Sequence, residues 1–247
     1  MRSNSDASRH AVQQTPSVSI VVPTFREADS LPALIERVAR LRQQTGLALE
    51  LLIIDDDSQD GTEALIAARS EPWLELFVRK QDRGLSQAVL FGLAQARGQT
   101  LVVMDADSSH PPEVIPQMLA TLQGGADFVL GSRYVLGGTT AAGWGLFRYL
   151  NSKIATMLAR PLTSVTDPMS GFFALSRAVF ARAESPSPLG YKIGLELIVR
   201  CRCQNVREIP IHFSNREHGE SKLTVHQQLL YLRHLARLYR FRFGRGG

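Results

Sequence analysis

The stretch VVMDADSSHPPE, residues 102–113, runs from apolar residues into Asp105 and Asp107, two carboxylates one residue apart. Side chains alternate along an extended chain, so both project the same way while the strand persists. Like charges that close repel, and a positive charge between them relieves the repulsion. The chemistry this spacing suits is a divalent metal site; a solvated strand end with a polar turn is the plainer alternative. A second acidic group, Asp55, Asp56 and Asp57, ends the apolar run LELLII in the same manner. Arg79 and Arg83 follow a third run, LELFV. Aspartates beside arginines suit a metal-chelated phosphate compound. Hard oxygen ligands select magnesium or manganese, which take few carboxylates and complete their shells with substrate phosphates and water.

The elements that must hold these groups alternate regularly. VSIVV (18–22), LELLII (49–54), LELFV (74–78), TLVVM (100–104) and ADFVLGS (126–132) are short apolar runs that predict buried strands. Between them, LPALIERVARL (31–41) carries apolar residues at helical spacing, with Asp29 or Ser30 as its cap. DGTEALIAA (60–68), capped by Asp60 or Thr62, GLSQAVLFGLAQA (84–96) and PPEVIPQMLATL (111–122) predict three more helices. Prolines suit the first turn of the last. Strand–helix alternation of this kind predicts an α/β fold with a mostly parallel central sheet flanked by helices on both faces. Ligands bind such sheets at the carboxyl ends of the strands. The acidic groups at 55–57 and 105–107, the segment from Pro23 to Glu27, and Arg79 to Arg83 all fall on that rim.

Length and composition exclude several classes. The chain has 247 residues, 44% of them hydrophobic and 21% charged, as in a globular protein with one large α/β domain or two small ones. Its net charge of +5 is compatible with a nucleic acid, an anionic membrane or a phosphorylated substrate. Cys201 and Cys203, read as core thiols in one helix, offer no disulfide framework and no zinc spacing. The first sixteen residues are polar and read as a disordered leader, and no apolar run reaches bilayer-spanning length. Phosphate cradles of the GxxxxGK[ST] and strand-following GxGxxG types are absent, which argues against P-loop NTPases and dinucleotide dehydrogenases.

Taken in order, VVPTFRE, IIDDDSQDGT, RGLSQAVLFG, DADSSHPPE, GSRY, DPMSGFFALSR and HGESKL resemble a family 2 glycosyltransferase with the GT-A nucleotide-diphospho-sugar transferase fold. More narrowly they are similar to dolichol-phosphate mannose synthases and their bacterial polyprenyl-phosphate relatives, over about residues 17 to 225. The resemblance implies transfer of mannose from GDP-mannose to a polyprenyl (dolichyl-type) monophosphate, with inversion and with Mg2+ or Mn2+. A UDP-glucose donor is the alternative, and another is a family 2 enzyme with a saccharide acceptor. It implies nucleotide-sugar binding by Pro23, Phe25, Glu27, Asp55, Asp56, Arg83, Asp105 and Ala106. Phe25 and Arg26 stand where the family usually has tyrosine and asparagine. The resemblance further implies metal contacts from Asp105, Asp107 and Ser109, the serine replacing a glutamine of some relatives. Asp105, Asp107 and Arg133 are the expected catalytic group. Arg133 and Arg148 are associated with the acceptor phosphate, Asp167 and Ser170 with the sugar site, and Arg216 and Lys222 with its mouth. Asp167 and Ser170–Gly171 could equally form a turn around Pro168.

A polyprenyl phosphate is largely dianionic at neutral pH and needs positioning rather than a strong base, so no general base is nominated; His110 and His218 read as loop residues. The C-terminal segment TVHQQLLYLRHLARLYRFRF (224–243) sets Arg233, Arg237 and Arg240 on one helical stripe and Val225, Leu229, Leu232, Ala236, Tyr239 and Phe243 on another. It predicts an amphipathic helix that lies at a membrane interface, docks on the domain, or does both. The expected organisation is therefore a leader over 1–16, a catalytic domain over 17–223 and the helix and tail over 224–247. The enzyme is expected to be cytoplasmic and peripheral on the cytoplasmic membrane face, with room for a separate membrane-anchoring partner. Processive polysaccharide synthases are disfavoured, because no Q-x-x-R-W block occurs. A nucleic-acid-binding module is disfavoured too, since a scaffold has no need of Asp105, Asp107, Arg133 and Lys222 together.

Overall fold

The five apolar runs form the strands expected of them: β1 (Val18–Thr24), β2 (Leu49–Asp55), β3 (Leu74–Val78), β4 (Thr100–Val103) and β5 (Phe128–Ser132). A computed structural model describes residues 16–140, 146–187, 189–190, 192–213 and 225–244, with the backbone alone at 140, 146–152, 225 and 226. Residues 1–15 of the expected leader lie outside the described residues. The order β3-β2-β1-β4 is wholly parallel. β1, β2 and β4 bury both faces, which is why they read as apolar runs, while the edge strand β3 is half-buried throughout.

The connecting helices divide between the two faces. In α1 (Leu31–Thr45), Leu31, Leu34, Ile35, Val38 and Leu41 pack on Val18, Ile20 and Val22, together with Ile66 of α2 (Thr62–Ala67). On the other face, Ala88, Val89 and Leu93 of α3 (Leu85–Gln95) meet Val21, Leu52 and Ile54. The segment at 111–122 opens as a single 3-10 turn, Pro112–Val114, before α4 (Ile115–Gln123). Pro111, Pro112 and Pro116 supply no amide hydrogens, so the α ladder starts late. Ser30 does precede α1, but its hydroxyl donates to Glu27 Oε2 instead of capping. Gly61 is the residue before α2, while Asp60 Oδ1 accepts from the Thr62 amide and hydroxyl.

Beyond β5 the chain leaves the simple alternation. A two-residue strand β6 (Thr139–Thr140) is followed by α5 (Leu146–Ala159), and then β7 (Phe173–Ser176) slots between β4 and β5, antiparallel to both. The helices α6 (Arg177–Phe180) and α7 (Ile193–Arg200) lead to β8 (Val206–Pro210), parallel to β5, and to β9 (His212–Phe213), paired with β6. The described sheet is thus β3-β2-β1-β4-β7-β5-β8. Helix α7 ends at Arg200; Cys201 is buried just beyond it, and Cys203 lies past a turn through Arg202 at φ 54°, so the two thiols do not share the helix.

The last helix, α8 (Val225–Phe243), docks through Leu235 and Leu238 against Ala159, Leu195 and Val199. Tyr231 and Tyr239 donate their hydroxyls to the carbonyls of Ala155 and Leu158 on α5 (2.7 and 2.6 Å). The stripe of Leu229, Leu232, Ala236 and Phe243 faces away from the core. Docked and apolar-exposed faces are therefore different faces of one helix.

Candidate active site

β1 and β2 deliver their last residues to the same rim because they pair in register from Val18 with Leu49 to Thr24 with Asp55. Asp55 is 1% exposed, and its carboxylate accepts from the Thr24 hydroxyl (3.0 Å) and from the Ser58 amide and hydroxyl (2.8 and 2.5 Å). The Arg26 amide donates to the Ser58 hydroxyl in turn (2.8 Å), and Arg26 sits at φ 60°. This network locks Pro23, Phe25 and Glu27 around a tight bend and leaves the Phe25 ring exposed, with the Arg26 guanidinium 5.3 Å from its centre. Asp56 accepts from Arg79 Nη1 (2.8 Å) and from the Gly84 amide (2.7 Å), tying the end of β2 to the start of α3. Gly84 reaches that position at φ 132°, open to a residue without a Cβ. Arg83 pairs with Asp57. The described contacts of Asp55 and Asp56 are thus internal, and both act on the shape of the rim.

At the end of β4 the two aspartates differ. Asp105 keeps 26% of its side chain exposed, whereas Asp107 is buried at 5%. Asp107 Oδ1 accepts from the Ser109 amide (3.1 Å) and hydroxyl. Ser109, an expected metal contact, is fully buried and orients Asp107 through that hydroxyl. Ala106 between them packs into the core. The Asp105 amide donates to His110 Nδ1 (2.9 Å), and the His110 ring stacks on Phe172 with centres 5.2 Å apart. His110 is thereby a fixed support for Asp105. A Cβ built on Gly171 would meet Asp105 Oδ1 at 3.5 Å, so the glycine leaves space beside the more exposed carboxylate.

β7 brings the third component. Ser170 donates its amide to the Asp167 carbonyl (3.1 Å), closing the turn over Pro168, and its hydroxyl to the Gly131 carbonyl (2.7 Å). The turn presents Asp167, fully buried, to Arg133: Nε to Oδ2 and Nη2 to Oδ1, each 2.7 Å, a two-pronged ion pair. Burial alone would lower the Arg133 pKa, but the Asp167 bonds and charge, with a smaller pull from Asp105, raise it above the ordinary arginine value. The guanidinium also lies 5.2 Å from the Tyr134 ring centre and 5.1 Å from that of Phe213. Lys153 of α5 stands 5.2 Å from the other member of that pair, Tyr134, and so joins the same basic corner.

Two groups escaped the sequence reading. Glu208 of β8 accepts from the Thr166 amide and hydroxyl and the Asp167 amide (2.7, 2.8 and 2.9 Å), fixing the turn that holds Asp167. Its only signal was a carboxylate inside the short segment VREIP. Lys153 was hidden because nothing in its local spacing shows which rim residue α5 approaches. Arg148 falls on α5, but its side chain, like the whole of Arg216 and Lys222, lies outside the described residues.

Among the described residues no three His, Cys, Asp or Glu side chains form a metal cage. Asp105 and Asp107 offer two carboxylates only, a donor set that suits a hard divalent cation completing its shell with phosphate oxygens and water.

Residues 19–183 match the family model for glycosyl transferase family 2. The chain belongs to that family. A dolichol-phosphate mannosyltransferase of Mycosarcoma maydis is 42% identical, over 99% of this chain and 86% of its own length. The dolichol-phosphate mannosyltransferase of Saccharomyces cerevisiae is 38% identical over 92% and 88%. Among solved structures, mannosyl-3-phosphoglycerate synthase of Rubrobacter xylanophilus superposes with a TM-score of 0.70, at 21% identity over 91% of this chain and 74% of that one. Glucosyl-3-phosphoglycerate synthase of Mycobacterium tuberculosis, solved with Mn2+ and UDP, gives 0.67 at 21% identity over 94% and 82%. This family 2 glycosyltransferase has the GT-A fold that those enzymes share.

Proposed function

We propose that the enzyme transfers mannose from GDP-mannose to a polyprenyl (dolichyl-type) monophosphate with inversion, on the rim formed by β1, β2, β4 and β7. The observation that carries this reading is the 42% identity to a dolichol-phosphate mannosyltransferase along 99% of the chain. In this reading the donor nucleotide lies along Pro23, Phe25, Glu27, Asp55, Asp56 and Arg83, with its diphosphate toward Asp105, Ala106 and Asp107. Asp105 and Asp107 would hold Mg2+ or Mn2+, which supplies Lewis-acid stabilisation of the leaving diphosphate when bound. Ser109 orients the Asp107 carboxylate, and His110 holds the Asp105 backbone amide.

Arg133 receives the acceptor phosphate. Its planar fork is preset by Asp167, and a guanidinium offers a phosphate two parallel donors. Lys153 adds charge to that corner, Arg148, Arg216 and Lys222 are assigned to the same acceptor region, and Ser170 holds the sugar-site turn. The dianionic acceptor attacks the anomeric carbon directly; the chain's task is to align it and to stabilise charge on the departing group.

A lipid acceptor is consistent with the exterior of α5 and α8, where Ile154, Met157, Leu229, Leu232 and Phe243 are exposed. Peripheral attachment at the cytoplasmic face, with a separate membrane partner, belongs to the same proposal; no described helix is long and apolar enough to cross a membrane. The test offers radiolabelled GDP-mannose and UDP-glucose separately with a short polyprenyl phosphate. Label from GDP-mannose alone should enter the organic phase. Label from UDP-glucose alone would overturn GDP-mannose as the donor, and transfer from neither would remove the lipid-phosphate acceptor.

A further inference from the structure

The concave surface between α7 and α8 lies away from the reaction rim. Ser187, Arg200, Arg237, Arg240, Phe241 and Gly244 line a cavity of about 530 Å³. None of them belongs to the rim. The N-terminal end of α7 touches the rim, since a Cβ on Gly194 would meet the Ser170 carbonyl at 3.2 Å. Arg200 is six residues further along, about 9 Å down the helix axis.

The three guanidiniums are unequally committed. Arg200 donates Nε to buried Glu196 (3.1 Å) and Nη1 to the Glu184 carbonyl (3.2 Å), and it stacks 4.5 Å from the Phe241 ring centre. Glu196 in turn accepts from the Ser187 amide (2.9 Å) and pairs with His234 (2.6 Å). Arg200 is thus held rigidly with one edge turned to the cavity. The Arg237 guanidinium reaches only the Ser187 hydroxyl (3.4 Å) among the described residues, and the Arg240 guanidinium makes no hydrogen bond or ion pair with any of them. Arg200 is balanced by buried Glu196, and the neighbouring Arg202 by Glu184, whereas the exposed Arg237 and Arg240 have no described carboxylate partner. Their mutual repulsion is screened by solvent, and an anion bound between them would relieve it further.

We infer that this cavity is an anion site for a phosphate group, separate from the donor and acceptor phosphates of the reaction. Several guanidinium forks converging from two helices match the multiple acceptor oxygens of a phosphate monoester or diester. The serine hydroxyl adds a neutral donor. The ligand is either a free phosphate compound or the headgroup of an anionic lipid. The second source draws support from the same helix, whose exposed Leu229, Leu232 and Phe243 occupy the face adjoining Arg240.

The test compares the full chain with Arg237→Gln/Arg240→Gln and with a charge-matched control, Arg40→Gln/Arg42→Gln, on the remote helix α1. Binding of inorganic phosphate is measured by calorimetry, and binding to phosphatidylcholine vesicles with and without phosphatidylglycerol by flotation. The double variant should lose at least about tenfold in affinity in one arm, while the control stays within about twofold. Loss in the phosphate arm alone identifies a free phosphate ligand; loss in the phosphatidylglycerol arm identifies a headgroup. Unchanged binding in both arms, or an equal loss in the control, overturns the site. Arg240→Gln alone, at an exposed residue with no described partner, should give the same ordering in a smaller step and guards against a folding defect in the double variant.

Discussion

The chemistry of the rim comes down to which side chains are spent on one another. Arg133 and Asp167 form a buried pair, so removing one partner leaves an uncompensated charge. Asp167→Asn should destabilise the fold by about 3–5 kcal/mol, read as a shift in the urea midpoint; an unchanged midpoint would show that the pair does not hold the turn. Arg133→Lys keeps the charge but loses the fork. It should lower kcat/KM for transfer by about 100-fold while donor binding stays within a few fold, since Arg133 faces the acceptor in this account. Equal loss of donor binding would move Arg133 to the other substrate. The carboxylates of this site were legible as sequence because a D-x-D at a strand end needs only local geometry. The supports were not. Glu208 lies 41 residues from Asp167, and His110 binds a backbone amide, so neither contact leaves a local pattern.

At the level of elements, close approach decides what each position tolerates. Helix α3 lies so near β1 and β2 that a Cβ on Gly92 would stand 2.4 Å from Val21 Cγ1 and 2.8 Å from Ile54 Cγ1. Gly92→Ala improves helix propensity yet should destabilise by about 1–3 kcal/mol through overpacking, measured as a lower denaturation midpoint; a gain in stability would mean that the core relaxes freely. The first five strands and the helices between them were legible because apolar spacing is local; the caps were not, since Ser30 bonds Glu27 and Gly61 stands before α2. β7 was not legible, since its antiparallel place between β4 and β5 is made by pairings with residues about 45 to 75 positions earlier, which the short run FALS cannot announce. α8 was legible as an amphipathic helix but not for which face docks. Its buried side includes His234, paired with Glu196, which a hydrophobic pattern counts as polar, and Tyr239, which the pattern grouped with the exposed Leu229 and Leu232 although its hydroxyl meets an α5 carbonyl.

For the molecule as a whole, the attachment of α8 ties stability to pH. Burial alone would push the Glu196 carboxyl up, but the His234 hydrogen bond, the Ser187 amide and the charges of His234 and Arg200 outweigh it and hold Glu196 below its ordinary value of 4.5. The folded state therefore binds this proton less tightly than the unfolded chain does. Its contribution is complete above about pH 4.5 and fades as pH falls through the lower folded value. Glu196→Gln should flatten that acid limb in thermal unfolding followed from pH 6 to pH 3; an unaltered limb would place the acid sensitivity elsewhere.

Under the proposed function, Asp105 and Asp107 hold the metal for glycosyl transfer to a lipid phosphate. The most direct measurement of that role is label transfer from GDP-mannose to a short polyprenyl phosphate by wild type and by Asp105→Ala/Asp107→Ala, each with Mn2+ or with chelator. Wild type should show transfer that chelator abolishes and Mn2+ restores, and the folded variant should lose at least about a hundredfold. Wild-type transfer that survives in chelator, or a variant as active as wild type, would contradict that role.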